Sequence, residues 1–461
     1  MTLRLFSIRL AAAAVALFAA GAASAFPLDL KGIDTARTAI YIEDLRTGEK
    51  LVDENAGVPL VPASIMKCVT TASVMSLADP EERFITPVTA IGKISSDGVL
   101  DGNICINASG DPSIESSYLD GTRGFCDSIV AGAVSAGIRR IKGDIVIMED
   151  GYDDRRVPSG WMDEDLAWPY GAGNHGLNYH DNRFVLRLPS RETVPYVPDL
   201  RLDMAVRKGK RGGLKVSRQR DTETFRVSGV MPRRGFSDRL AMPRPDKVVR
   251  HELISRLREA GIEVDGEKVR PGRESTLLYA YISPTFSDIM KSLMFRSDNM
   301  MAEAMLRSLA PGGTRAEALK EERAIWTDAG ISMQGVRIED GSGLSRNDRL
   351  TAIFLAQVLK TMASPDYGTD YVSLFPLAGY DGTMRNFLVG THLEGDIAMK
   401  TGSMKGVQSY AGYRIDKSGN PTHIIIFIVN GFTCGRPALK NAISRLLLEK
   451  FPLSLQSENN E

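Results

Sequence analysis

Short strand-like apolar stretches stand near both ends of this chain, alternating with polar positions at period two over residues 408–415, and helical spacing takes over beside each. Ala39-Ile40-Tyr41-Ile42 reads as a strand, Arg46-Thr47-Gly48-Glu49 as a turn, and Lys50-Leu51-Val52 as the returning strand. Next comes Ser64-Ile65-Met66-Lys67, preceded by Pro62-Ala63 and followed by a turn-free apolar run through Met75. That predicts a helix beginning near Pro62, where proline's fixed φ and missing N–H cost nothing. Near the other end, Ile397-Ala398-Met399 begins a short strand, residues 408–415 alternate at period two, and residues 423–429 read as a buried strand after a turn at 416–421. Residues 436–451 then carry helical spacing through Leu439, Ile443, Leu446 and Leu447. Together the two ends predict one antiparallel sheet covered by helices, with N- and C-terminal strands side by side.

The middle has another texture. Residues 88–280 are rich in short strands and turns, such as Ser95-Ser96-Asp97-Gly98, Gly110-Asp111-Pro112 and Arg183-Phe184-Val185-Leu186. This predicts a β-rich insert of two sub-domains, so the fold class is α+β. The expected partition is a leader at 1–25, a core domain from 26–88 and 281–461, an inserted domain from 89–180 and 270–280, and a nested β-rich domain from 181–269. A basic, glycine-rich tip at residues 207–213 reads as a solvated hairpin turn. Two helical runs, 287–296 and 300–309, follow the insert and are broken at Ser297-Asp298-Asn299. Their methionines read as core filler.

Composition narrows the setting. Arg4 and Arg9, an apolar stretch from Leu10 to Ala20, and Ala23-Ser24-Ala25 form the three parts of a cleaved export signal. The apolar run is short for a transmembrane span. The expectation is an exported protein of the periplasm or cell-wall compartment, soluble or loosely peripheral, with no transmembrane segment in the mature chain. The remaining 436 of 461 residues suffice for two or three domains. With 57 basic and 57 acidic residues the net charge is zero, which argues against a nucleic-acid partner. Four cysteines (Cys68, Cys105, Cys126 and Cys434) are too few for a disulfide scaffold. Cys105 and Cys126 are the nearest pair and the expected bridge, if one forms. Neither cysteine spacing nor the five histidines match a metal-binding pattern, so no metal or cofactor is expected.

Ser64 and Lys67 stand one helical turn apart and share a face, so the amine can reach the hydroxyl. A serine nucleophile needs an adjacent base, and a lysine with a lowered pKa serves. Alone, S-x-x-K is weak, since a chain this long contains roughly one or two by chance. Two later elements give it meaning: Ser297-Asp298-Asn299 and Lys400-Thr401-Gly402-Ser403. Ser297 can relay a proton to a leaving amine, and the Asn299 amide can hold a substrate carbonyl near Lys67. Lys400 adds charge that tunes Lys67 or attracts a carboxylate, to which Thr401 and Ser403 offer hydroxyls. Gly402 is expected to let a substrate backbone approach the strand edge. Backbone N–H groups of Ser64 and Ser403 are the expected oxyanion hole. S-x-N recurs at Ser345-Arg346-Asn347 and Ser418-Gly419-Asn420, but only Ser297 lies between two helices.

This ordered set is the serine-acylating set of penicillin-binding proteins and class A β-lactamases. Further segments carry the resemblance: Ala108-Ser109-Gly110-Asp111-Pro112, Gly143-Asp144-Ile145-Val146-Ile147, Gly160-Trp161, residues 340–346 and residues 378–386. In combination the chain resembles the D-alanyl-D-alanine carboxypeptidase/endopeptidase family, the type-4 low-molecular-mass penicillin-binding proteins, whose mark is a long insert between S-x-x-K and S-x-N. The resemblance implies a transpeptidase/β-lactamase-like domain with two nested domains, peptidoglycan peptides as substrate and β-lactams as covalent inhibitors. One departure stands out. The family usually has an Asp directly after the strand at 145–147, and here that position is Met148, followed by Glu149 and Asp150. Asp150 is the expected substitute in substrate binding, with Glu149 as the other choice. A β-lactamase or esterase on the same fold and a non-catalytic wall-binding sensor are the alternatives.

Overall fold

The computed structural model describes residues 26–152, 156–209, 212–269 and 272–453. The leader at 1–25, and Lys210 and Arg211 of the basic tip, lie outside the described residues. Strand Thr38–Asp44 pairs antiparallel with Pro421–Asn430, from Thr38 opposite Val429 to Asp44 opposite His423. The chain ends therefore meet as the sequence pattern expects. The sheet runs Ile397–Met404, Val407–Ile415, Pro421–Asn430, Thr38–Asp44, Lys50–Glu54, with every neighbouring pair antiparallel.

Period two then sorts this sheet between two cores. Ala39, Tyr41, Ile424, Ile426 and Ile428 face the helical layer that includes Val69, Ala72, Leu355 and Leu359. Ile40, Ile42, Ile425, Phe427 and Val429 face Leu439, Ile443, Leu446 and Leu447 of helix Arg436–Lys450. Burial on both faces explains why residues 424–429 are apolar without alternation. Each such side chain contributes about 1.5–3 kcal/mol relative to exposure. Helix Met66–Leu77 is central, buried from Met66 through Met75. Its polar side chains are satisfied internally: Thr71 Oγ1 donates to Lys67 O at 2.8 Å, Ser73 Oγ to Val69 O at 2.9 Å and Thr70 Oγ1 to Gly341 O at 2.8 Å. A helix buried all round needs no amphipathic stripe.

The insert is built on a second sheet in which Ile85–Ile94 pairs antiparallel with Val99–Asn107 and with Ser275–Ile282. Ile145–Met148 runs parallel to Val99–Asn107. Helices Phe125–Ser135 and Pro245–Glu259 pack together over it. Segment 245–269, assigned from the sequence to the nested domain, returns to this outer unit, because Glu263–Val264 pairs parallel with Arg140–Ile141. The nested part holds two small sheets, Leu214–Arg218/Thr224–Met231/Arg201–Lys208 and Phe236–Ala241/Arg183–Leu188/Glu192–Val194. One apolar core joins outer and nested parts, with Ile104, Phe125, Phe184, Phe225 and Leu253 in a single cluster.

The expected Cys105–Cys126 bridge does not form, and all four cysteines are free thiols. Cys126 shares the core with Ile104 and Ile106, its sulfur 3.7 Å from the Tyr179 hydroxyl. Cys105 lies between those two isoleucines on the strand, so its side chain projects to the opposite face.

Candidate active site

The turn that carries Ser64 is a strained piece of backbone clamped from several sides. Ala63 adopts φ +51°, a left-handed conformation that costs a β-carbon residue about 1–3 kcal/mol. A short 3-10 turn, Ala63–Ile65, then leads into the helix at Met66. Asn430 pins the turn by accepting from Val61 N at 2.9 Å and donating to Val61 O at 3.0 Å. Ser409 Oγ donates to Pro62 O at 2.5 Å. Strand Ile397–Met404 closes the other side, and there Gly402 is required for a reason the sequence does not show. A Cβ at Gly402 would lie 2.2 Å from Ser409 Oγ and 3.0 Å from Ser64 N, so the glycine faces the Ser64 turn itself.

Ser64 is half-buried and Lys67 wholly buried. Lys67 Nζ donates to Ser64 Oγ at 3.1 Å, to Asn299 Oδ1 at 2.6 Å and to the Ser342 carbonyl at 2.7 Å. Burial pushes its pKa down to about 8, against the opposing pull of Asp340, Asp298 and Glu303. Lys400, equally buried, donates to Ser297 Oγ at 2.9 Å and to Thr401 O at 2.7 Å. Its pKa is driven well below the ordinary lysine value, by burial first and by Lys67 second. Two buried amines thus each hold a partly exposed hydroxyl, in two hydrogen-bonded arms: Ser64–Lys67–Asn299 and Lys400–Ser297. Such a set can take a proton from one hydroxyl and return one through the other.

The S-x-N loop owes its shape to helix ends. Helix Phe286–Arg296 stops at Ser297, which adopts φ +59° as the left-handed cap. Asp298 then caps Asn299–Arg307 by accepting from Met301 N at 3.0 Å. The repeats of the motif behave differently. Ser345 Oγ and Asn347 Nδ2 both donate to Glu339, at 2.8 and 2.9 Å, and Asn420 belongs to a turn capped by Asp416.

Thr401 and Ser403 follow Lys400 on the same strand, and Ser403 Oγ donates to Gln408 Oε1 at 2.8 Å. Asp150 is not brought into the cluster. It sits exposed in the turn after Ile145–Met148, and the next residue's carbonyl accepts from Arg307 Nη2 at 2.6 Å. Arg307 ends the helix that Asn299 begins, roughly 12 Å farther along its axis. Glu149 is engaged by Arg156 at 2.7 Å and by Leu177 N at 3.2 Å.

Sequence reasoning missed four contributors. The Ser342 and Tyr170 carbonyls hold Lys67 and Asn299, the latter at 2.8 Å, and backbone carbonyls leave no residue-type signal. Glu303 Oε1 accepts from Gly341 N at 2.9 Å and Ser342 N at 3.1 Å, which fixes the loop that holds Lys67. Arg183 pairs with Asp298 across the insert boundary.

The model of the D-Ala-D-Ala carboxypeptidase 3 (S13) family matches residues 23–448. The chain belongs to the S13 family. As a member it is a serine peptidase, a hydrolase of the D-Ala-D-Ala carboxypeptidase class. This S13 chain is 26% identical over 439 residues to D-alanyl-D-alanine carboxypeptidase DacB of Haemophilus influenzae, covering 90% of this chain and 89% of that one. It is 27% identical over 456 residues to a D-alanyl-D-alanine carboxypeptidase of Actinomadura sp. (strain R39), covering 92% and 83%. Its fold is similar to the crystal structure of penicillin binding protein 4 (dacB) from Haemophilus influenzae, with TM-score 0.77, 23% identity, and 91% and 97% of the two chains covered. Among the described residues, no helix is long and apolar enough to cross a membrane.

Proposed function

We propose that this S13 protein is an exported serine DD-peptidase that acts on peptidoglycan stem peptides through a Ser64 acyl-enzyme and is acylated at the same serine by penicillin. The observation that carries the reading is Lys67: buried, with pKa lowered to about 8, and 3.1 Å from Ser64 Oγ. A neutral amine there takes the hydroxyl proton as Ser64 attacks the penultimate D-Ala carbonyl, a step worth about 10²–10⁴-fold. The backbone N–H groups of Ser64 and Ser403 receive the oxyanion, at the positive end of the central helix. Ser297 passes a proton to the leaving amine. Lys400, Thr401 and Ser403 attract the terminal carboxylate, and the Asn299 amide steadies both Lys67 and the substrate. Water then hydrolyses the ester. The leaving amine is terminal D-Ala in trimming, or a cross-linked diamino acid in endopeptidase action. The leader pattern and the carboxypeptidase names of the relatives support export and a wall substrate.

The test uses fluorescent penicillin beside a D-Ala-D-Ala-terminated muropeptide and a cross-linked one. Stable labelling with D-Ala release is the expected result, and Ser64→Ala abolishes both while Ser345→Ala keeps them. Rapid penicillin turnover without D-Ala release would make the protein a β-lactamase. Absence of both labelling and D-Ala release would overturn the DD-peptidase reading.

A further inference from the structure

Two residues of the insert grip the Ser297-Asp298-Asn299 loop from outside the core domain. The Tyr170 carbonyl accepts from Asn299 Nδ2, and the Arg183 guanidinium donates to Asp298 Oδ2. Arg183 opens strand Arg183–Leu188 of the nested part. The pair is sequestered, with the Asp298 side chain 1% exposed and that of Arg183 16%. Asp298 uses its other oxygen to cap the helix that begins at Asn299. One carboxylate therefore sets the helix start and answers to the insert.

The backbone before Arg183 is built to aim it. His180, Asp181 and Asn182 all adopt left-handed φ, at 51°, 55° and 50°. Consecutive strained residues persist only where neighbours over-determine them. Asp181 accepts from Ser116 Oγ at 2.5 Å and from Ser117 N and Oγ at 3.0 and 2.6 Å. Asn182 accepts from Tyr179 N at 2.9 Å and donates to Gly173 O at 2.9 Å and Asn178 Oδ1 at 2.7 Å. The Arg183 guanidinium then lies 5.1 Å from the Tyr118 ring centre, and Arg296 lies 4.3 Å from the same ring.

We infer that Arg183 is a positioning residue for acyl transfer: it neutralises Asp298 and so holds the Ser297 hydroxyl and Asn299 amide against the two lysines, which makes the nested part a component of the catalytic apparatus. This rests on the DD-peptidase reading above. The titratable groups facing Lys67 are Asp298 and Glu303 from the S-x-N loop and its helix, Asp340 from the neighbouring loop, Lys400 from the sheet and the Cys68 thiol from its own helix. Asp298 favours the ammonium form of Lys67, and Arg183 offsets it. Removing Arg183 therefore moves the acidic limb of acylation to higher pH. Removing both charges does not.

The experiment compares the purified protein with Arg183→Met, Arg183→Gln, Arg183→Lys and the double variant Arg183→Met/Asp298→Asn. Fluorescent-penicillin acylation is followed against pH, and hydrogen exchange is measured at amides 297–301. Arg183→Met is expected to slow acylation by about 10²-fold, raise the limb by roughly one pH unit, and speed exchange in the loop. Arg183→Lys recovers part of the rate, and the double variant returns the limb to its wild-type position. If the Met variant does not fold, the smaller polar Gln variant carries the same expectation. A folded neutral variant with wild-type rate, limb and exchange would overturn the inference. If the wild-type protein is not acylated at all, the function fails separately. Exchange at 297–301 then decides Arg183 alone, and unchanged protection rejects it.

Discussion

Gly402→Ala separates two reasons for a glycine in the K-T-G element. A Cβ at this position would lie 2.2 Å from Ser409 Oγ, 2.9 Å from Pro62 O and 3.0 Å from Ser64 N. Ordinary contact begins at 3.4 Å, so the nearest atom must give by about 1.2 Å. Ser409 Oγ cannot swing aside freely, because it is buried and donates to Pro62 O at 2.5 Å. Pro62 and Ser64 flank the strained Ala63, so the clash is passed to the strand itself. Overpacking of this kind costs about 1–3 kcal/mol of stability. A displacement near 1 Å between nucleophile and strand costs about 10²-fold in rate. Stopped-flow acylation by fluorescent penicillin measures the rate, and urea unfolding measures stability. Adding Ser409→Ala removes the closest clashing atom and is expected to restore about 1 kcal/mol or more of coupling. Wild-type acylation and stability in Gly402→Ala would refute the packing account. A slow variant that Ser409→Ala leaves slow would return the glycine to the substrate side, where sequence reasoning put it.

Three further outcomes follow from the same geometry. Acylation should rise with pH through an acidic limb near 8, where the Lys67 ammonium loses its proton, and a limb near 6 would exclude Lys67 as the base. Glu303 and Glu322 are buried, and desolvation lifts their pKa values to about 7 and about 8. An acid with a raised folded pKa contributes stability below its unfolded value near 4.5, and loses it as pH rises through the folded value. This contribution to Tm should therefore fall between about pH 4.5 and about pH 8, and Glu322→Gln should flatten the slope; an unchanged slope in that variant would refute the assignment. Thiol titration is expected to find only Cys434 readily reactive in the folded protein and all four cysteines after denaturation. Burial pushes Cys68 and Cys126 to about 12, and a reductant should leave Tm unchanged.

What was legible in the sequence is what side-chain type and period encode. Residues 423–429 announce a strand buried on both faces, and residues 64–75 a helix without a polar stripe, so the five-stranded sheet and its central helix follow. Ser64, Lys67, Ser297, Asn299 and Lys400 were singled out because acyl transfer calls for those functional groups in that order, and the fold brings them into hydrogen-bond contact. The outer insert was harder to bound, because Glu263–Val264 is a two-residue strand whose partner lies more than a hundred residues earlier. Cys105 and Cys126 misled because sequence proximity says nothing of facing, and one position along a strand reverses a side chain. Ser342 and Tyr170 act through carbonyls that any residue supplies. Arg183 looked like the polar start of an ordinary strand. Only the left-handed turn before it, invisible in residue type, aims it at Asp298.

The electrostatics of the cluster explain why both lysines must be buried together. Lys67 is drawn toward its charged form by Asp340, Asp298 and Glu303, and desolvation by burial outweighs them. Lys400 is depressed by burial and by Lys67, with only the Cys68 thiol, itself pushed up to about 12, pulling the other way. The two sites are therefore coupled, and a proton held by one disfavours a proton on the other. By the same coupling a charged Lys400 favours a neutral Lys67, and the two buried amines share fewer protons than two exposed lysines would.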